Sequence, residues 1–185
     1  MRLNRSDREV FGVGSLAFAF LAMVFAFAAL VTAAQSESHS NDTNKRVKQL
    51  SASGVVSKTA EVTVQEFSIV AHPGLVQSGK VTLSVENHGS LTHELVIIQA
   101  SSAAALPKVT KAGGDRSVGA IDEEAIAESD KFGEAGEVAP TKAVTKSFDL
   151  PPGTYVLFCN IDLKKPDGTV VNHFKSGMRT PLVVV

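Results

Sequence analysis

Two different patterns of hydrophobic residues divide the chain. The first is a continuous apolar run: no charged side chain occurs between Val10 and Ser36, and its central part is residues 11–34. That run exceeds the roughly 20 apolar residues with which a helix crosses a bilayer. From Gly54 onward, hydrophobic and polar residues instead alternate over short segments, which is typical of strands with one buried face. The pattern therefore predicts a transmembrane helix followed by a β-domain.

The residues that flank the apolar run indicate its orientation. Arg2, Arg5 and Arg8 precede it, and a positively charged flank keeps that side of a transmembrane helix in the cytoplasm. We therefore expect residues 1–34 to be a retained single-pass anchor, with the domain on the extracytoplasmic side of the cell membrane. The alternative is a signal peptide cleaved after the small residues 32–34, which would leave a secreted or periplasmic protein; such peptides usually have a shorter apolar core, about 7–15 residues.

The rest of the chain is predicted to be a linker and one domain. Residues 35–53 are polar and rich in serine and asparagine, as in a flexible tether. The domain, residues 54–185, contains short segments that predict strands, with turns rich in Gly, Pro and Asn between them. These segments are residues 61–70, 80–87, 93–99, 143–150, 153–159 and 181–185. Short strands at such spacing indicate an antiparallel sandwich or barrel.

One segment of the domain, residues 100–141, breaks the β-pattern. Residues 120–138 carry seven acidic side chains against a single lysine. Residues 121–129 could form a short helix. We interpret the whole segment as a solvated insertion loop; the alternative interpretation is an acidic surface that docks a cationic partner.

The net charge and the number of cysteines limit the classes of function that this chain can have. The net charge is −1, which gives no indication of nucleic-acid binding. The chain has a single cysteine, Cys159, so it cannot form an internal disulfide. Outside the cytoplasm structural cysteines normally occur in pairs, and an unpaired thiol is exposed to oxidation unless something occupies it. The single cysteine therefore raises the question of what binds or protects the thiol of Cys159.

Other metal donors accompany Cys159. His93 begins a predicted strand, Cys159 ends another, and His173 and Met178 lie just before the last one. Each of these residues alone could be an ordinary core or loop residue. Together, two imidazoles, one thiolate and one thioether are the donor set of a blue-copper site. Their order and their placement at strand ends favour a metal site.

The motifs around these donors resemble the cupredoxin family of small, plastocyanin-like type 1 copper proteins. The resemblance covers residues 62–185. It rests on Asn87-x-Gly89-x-x-x-His93 opening a strand, on "PPGTYVLFCN" ending in the cysteine, and on "HFKSGM" before the closing strand. It implies an all-β, antiparallel Greek-key β-sandwich that holds one copper ion. By resemblance, the copper ligands are His93, Cys159, His173 and Met178.

The sequence departs from the family pattern at two places. Thirteen residues separate Cys159 from His173, where the family usually has only a few; residues 166–168 predict a hairpin turn through which this loop could project outward and return. Glu94 occupies the position after the first ligand, where many members have asparagine. We expect Glu94 either to accept a hydrogen bond from the amide of Asn160 or to face solvent.

The function that the resemblance implies is electron transfer, not enzymatic catalysis. We expect a monomeric soluble domain on a membrane tether that shuttles single electrons between redox proteins. It would bind no nucleic acid. Two alternatives stay open: a copper-binding or copper-delivery protein that uses the same donors, and a metal-free cupredoxin-fold binding module.

Overall fold

The described part of the chain is built almost entirely from β-strands. The structure is a computed structural model that describes residues 56–111 and 116–185. Its strands are β1 (Thr59–Gln65), β2 (Ser68–His72), β3 (Leu75–Val76), β4 (Gly79–Asn87), β5 (His93–Gln99), β6 (Lys131–Val138), β7 (Ala143–Leu150), β8 (Gly153–Phe158), β9 (Asp162–Lys164), β10 (Val170–Asn172) and β11 (Arg179–Val184). Two 3-10 helices, Glu123–Ala125 and Glu128–Asp130, precede β6.

The expected anchor, residues 1–34, and linker, residues 35–53, lie outside the described residues, so both stay predictions. Among the residues that the structure describes, no helix has the length and apolar character needed to cross a bilayer.

The strands form two packed sheets. One has the order β2-β1-β4-β7 and the other β3-β11-β8-β5-β6, and β9 and β10 form a separate hairpin. The buried residues of β1 and β4, such as Val62, Val64 and Leu83, form one cluster with Leu95, Leu157 and other residues of the second sheet. In β1 and β4 the buried residues alternate with more exposed ones, because successive side chains point to opposite faces. The predicted β-sandwich is therefore present.

The expected antiparallel arrangement of the sandwich does not hold for two strand pairs. β4 runs parallel to β1, and β11 runs parallel to β3. The first case arises because the chain leaves the first sheet after β2, passes through β3 in the second sheet, and re-enters beside β1. Moreover, the single strand predicted at residues 61–70 is two strands, because a turn at Glu66 and Phe67 folds β2 back onto β1 with Gln65 opposite Ser68.

The interpretation of residues 100–141 as a solvated loop is also wrong. Residues 131–138 form β6, which pairs with β5. Leu106, Ile121 and Ile126 are buried against the outer face of the second sheet, where they pack in a second cluster with β5 and β8 residues, including Val96 and Phe158. A short helix does not extend over residues 121–129; the two 3-10 helices lie there instead. β5 and β8 are therefore covered on both faces, which explains their nearly continuous apolar sequences.

Candidate metal centre

The strand topology brings three of the four predicted ligands to one end of the sandwich. β5 and β8 are antiparallel neighbours, so the start of β5 and the end of β8 lie at the same edge of their sheet. His93 is the first residue of β5, and Cys159 directly follows β8. His173 directly follows β10. All three side chains are buried.

Their donor atoms converge. His173 Nδ1 lies 3.3 Å from His93 Nδ1 and 3.3 Å from Cys159 Sγ. One ligand atom from each residue lies within 4.8 Å of those of the other two. The Nε2 atoms of both histidines are buried and without a hydrogen-bond partner. Two imidazole nitrogens and a sulfur that face one another in a buried group fit a copper ion, because imidazole and thiolate are donors that copper accepts.

Met178, the fourth predicted ligand, is buried beside this group. Its carbonyl oxygen accepts a hydrogen bond from the Cys159 N–H at 3.2 Å, and its own N–H donates to the carbonyl of His173 at 3.1 Å. Gly177 precedes it with a φ of 118°, a conformation that is costly for any residue with a Cβ. The turn therefore ties the backbone of Met178 to two of the other three residues. Its role as an axial ligand stays a prediction.

Met178→Leu is expected to retain copper and the visible colour but to raise the reduction potential. The two side chains have similar volumes, so the buried cluster should tolerate the change. Loss of a weak axial donor removes more stabilisation from Cu(II) than from Cu(I), and the axial ligand is known to tune such sites. Voltammetry together with metal analysis measures the effect. Loss of stoichiometric copper in this variant would mean that Met178 is needed to hold the metal.

The long loop between Cys159 and His173 is a hairpin, as predicted. β9 and β10 pair with Leu163 opposite Val171, and the tip is closed where the Lys165 N–H donates to the Thr169 carbonyl at 2.8 Å. At its base, the His173 N–H donates to the Ile161 carbonyl at 2.9 Å. The thirteen intervening residues therefore return His173 to a position beside Ile161, which follows Cys159 by two residues.

The predicted contact between Glu94 and Asn160 is confirmed. The Asn160 N–H donates to Glu94 Oε1 at 2.8 Å, so this carboxylate does not simply face solvent. Burial raises the pKa of the Glu94 carboxyl above its ordinary value. The contact joins the strand that begins with His93 to the strand that ends before Cys159.

Asn160 also connects the candidate metal centre to the covering segment, the residues around Ile121 that lie over β5 and β8. The sequence does not predict this connection. Its side-chain oxygen accepts from the Ile121 N–H at 2.9 Å. Its amide nitrogen donates to the Ile121 carbonyl at 2.9 Å and to Glu123 Oε1 at 2.7 Å. Its carbonyl accepts from the side chain of Asn172 at 3.0 Å. The residue after the cysteine thus holds together strand β5, the segment around Ile121 and the hairpin that carries His173.

Two further residues at the site are not marked by the sequence pattern. Glu66 Oε1 lies 3.6 Å from Nε2 of His93. The ring of Phe67 packs edge-on against His173, with centroids 5.4 Å apart. Both lie in the turn between β1 and β2, where the expected alternation of residues 61–70 is interrupted. That interruption is the one signal of a turn that the sequence offers.

The protonation of the site favours metal binding at higher pH. Burial raises the pKa of the Cys159 thiol to about 11, and burial lowers the pKa of His93 and of His173. At neutral pH the metal-free thiol is therefore protonated and both imidazoles are neutral. Since thiolate is the binding form, each bound ion displaces one proton.

The apparent metal affinity is therefore expected to rise about tenfold per pH unit from near neutrality up to the thiol pKa, because one proton is released per ion. Competition titrations against a chelator of known affinity, from about pH 6.5 to 8.5, measure the slope. Cys159→Ala is the matched control and should lose that slope. An affinity of the unaltered protein that does not change with pH would contradict the prediction.

Comparisons with known proteins give matches among solved structures alone. Scans against protein-family models and against curated proteins give no match. The matched structures include dithionite-reduced auracyanin from Roseiflexus castenholzii, with 22% identity over 70% of this chain and 98% of that chain and a TM-score of 0.47. They also include auracyanin A, a "blue" copper protein from Chloroflexus aurantiacus (19% identity, 69% and 98%, TM-score 0.43), and rusticyanin from Thiobacillus ferrooxidans (16%, 70% and 79%, 0.41). These structural neighbours are cupredoxins, the family named by the sequence resemblance.

Proposed function

We propose that this protein binds one type 1 copper ion and carries single electrons between redox partners. His93, Cys159 and His173 would hold the ion, with Met178 as a weak axial ligand. The observation that supports this most is the convergence of two Nδ1 atoms and one sulfur in a buried group. When bound, copper would supply reversible exchange of one electron between its cupric and cuprous states.

The residues around the site suit rapid electron exchange because they restrict its geometry. Cys159 and His93 lie at the ends of neighbouring strands, and Glu94 and Asn160 bridge those strands. His173 is held by the base of a hairpin. Because a donor set fixed by its surroundings needs little rearrangement between oxidation states, these contacts favour electron transfer over metal release.

We propose a carrier function without catalysis by the chain itself, and the number of candidate sites supports this. Within residues 56–111 and 116–185, His93, Cys159 and His173 form the one group of three or more His, Cys, Asp or Glu residues that could hold a metal ion. We propose that the domain is monomeric and soluble and that it exchanges electrons with other redox proteins. We also propose that it binds no nucleic acid.

For location, we propose that residues 11–34 anchor the protein in the cell membrane and that the domain lies on the extracytoplasmic side. The uncharged run and the preceding arginines support this. Mass analysis of the N-terminus of the native protein tests it. A mature chain that begins at Gln35 would mean that a signal peptidase removes the segment.

Visible and EPR spectra of the purified full-length protein in detergent, recorded after copper addition and oxidation, test the main proposal. An intense visible band at one copper per chain is expected, because a thiolate bound to Cu(II) absorbs strongly. Stoichiometric Cu(I) that stays colourless after oxidation would favour copper delivery instead. Failure to bind copper would favour a metal-free binding module.

A further inference from the structure

The carboxylate of Glu66 is held by the loop that leads into His93. Glu66 lies in the turn between β1 and β2, and its Oε1 accepts hydrogen bonds from the Ser90 N–H at 2.7 Å and from the Leu91 N–H at 2.5 Å. The Ser90 hydroxyl lies 3.3 Å from the same oxygen. Successive backbone N–H groups of this kind form a concave anion site. The loop is therefore shaped around a negative charge that comes from a different part of the chain.

Gly89 and Asn87 explain how the loop accommodates that carboxylate. A Cβ atom at Gly89 would lie 2.5 Å from Glu66 Oε2, so any other residue would displace the carboxylate. The side-chain oxygen of Asn87 accepts from the Gly89 N–H at 2.8 Å, and its amide nitrogen donates to the Leu91 carbonyl at 2.7 Å. Asn87 and Gly89, which precede His93 in the sequence, thus shape the loop that binds the Glu66 carboxylate.

The position of Glu66 decides which nitrogen of His93 carries the proton. Nε2 of His93 is buried, has no hydrogen-bond partner and lies 3.6 Å from Glu66 Oε1. A neutral imidazole carries one N–H and one lone pair. A lone pair on Nε2 would face a carboxylate and be repelled, whereas an N–H there is attracted. The proton therefore belongs on Nε2, and the lone pair on Nδ1, which faces His173 Nδ1 at 3.3 Å.

We propose that Glu66 is a positioning residue that fixes the tautomer and ring orientation of His93 and so presents Nδ1 to the metal. This rests on the proposed metal site, which it deepens. Carboxylates that orient a ligand histidine in this way typically contribute 10–100-fold to metal affinity. Glu66 also places a negative charge close to the site, as Glu94 does from β5. Both negative charges favour the oxidised metal.

The first test uses the metal-free protein and needs no substitution. A two-bond nitrogen–proton NMR correlation of the ¹⁵N-labelled full-length protein shows which imidazole nitrogen of His93 is protonated. We expect the proton on Nε2. A proton on Nδ1 would overturn the proposal, and because no metal is present, this result is independent of whether the protein carries copper.

The second test compares Glu66→Gln with Glu94→Gln. Each removes one carboxylate charge near the site, and each glutamine retains an oxygen that can accept the existing backbone hydrogen bonds. Glu66→Gln is expected to mix the two tautomers of His93 and to weaken cobalt(II) binding about 10–100-fold. Glu94→Gln should leave the His93 tautomer unchanged. In the copper-loaded protein both should raise the reduction potential.

An unchanged His93 tautomer in Glu66→Gln, with cobalt(II) binding as tight as in the unaltered protein, would overturn the assignment. If Glu66→Gln does not fold, Ser90→Ala provides the milder variant, because it removes only the hydroxyl contact to Glu66. It should leave the proton on Nε2, and a shift of the proton to Nδ1 would contradict control by the carboxylate. If no copper binds while the tautomer behaves as expected, the electron-transfer function fails and the role of Glu66 stands.

Discussion

Cys159→Ser is expected to abolish the intense visible band of the copper-loaded protein while the domain stays folded. The band requires a bond between a thiolate and Cu(II), and the chain has no other cysteine to supply one. The sulfur is buried, but the Glu94 N–H donates to it at 3.5 Å and His173 Nδ1 lies 3.3 Å away. A hydroxyl in its place therefore keeps polar partners and should lower the free energy of unfolding by no more than about 1 kcal/mol. A visible spectrum and a urea unfolding curve of the same sample measure both effects.

Cys159→Ala is the control that separates metal binding from polarity. It removes the thiol without introducing a hydroxyl, so it should be equally colourless. A blue or green colour that persists in either variant would contradict the assignment of Cys159 as a copper ligand.

Asn160→Ala is expected to lower the free energy of unfolding by about 2–6 kcal/mol, because it leaves the buried N–H and carbonyl of Ile121 unpaired and each such group costs about 1–3 kcal/mol. Asn160 is 3% exposed, and its side chain makes both of those contacts. The covering segment should also open more often. Urea unfolding gives the stability, and amide hydrogen exchange at Ile121 gives the local opening.

Ser147→Ala is the matched control, since it also deletes a side-chain hydrogen bond. Its hydroxyl contacts that of Thr82 at 2.9 Å on the exposed face of the first sheet. Surface changes of this kind usually alter stability by less than about 0.5 kcal/mol. If Asn160→Ala is no more destabilising than this control, and exchange at Ile121 is unchanged, the connecting role of Asn160 is wrong.

Local sequence patterns predicted those residues of the site that lie at the ends of strands. His93 and Cys159 could be placed because each lies where an apolar strand meets a turn. The resemblance to cupredoxins then implied a contact between Glu94 and Asn160, which follow them directly. The hairpin before His173 could be predicted from its Pro-Asp-Gly turn. In each case the relevant information lies within a few residues of the chain.

The features that were missed depend on contacts between distant parts of the chain. Ile121 and Ile126 are isolated among acidic residues, so nothing local indicates that they cover β5 and β8. β6 contains Gly133 and Gly136 with positive φ and pairs with β5 through register shifts, which interrupt the alternation that marks a strand. Glu66 resembles any polar turn residue, because its significance depends on a loop that lies more than twenty positions further along the sequence.

The hairpin of β9 and β10 offers a practical way to attach this protein to a surface. Its tip, residues 165–169, is exposed and closed by its own backbone hydrogen bond, whereas its base contains the contacts that hold His173. A peptide tag or a conducting linker inserted at Gly168 would therefore meet solvent rather than core. Because β10 ends at the residue before His173, such a linker would join the chain through the strand that leads directly to the candidate metal centre.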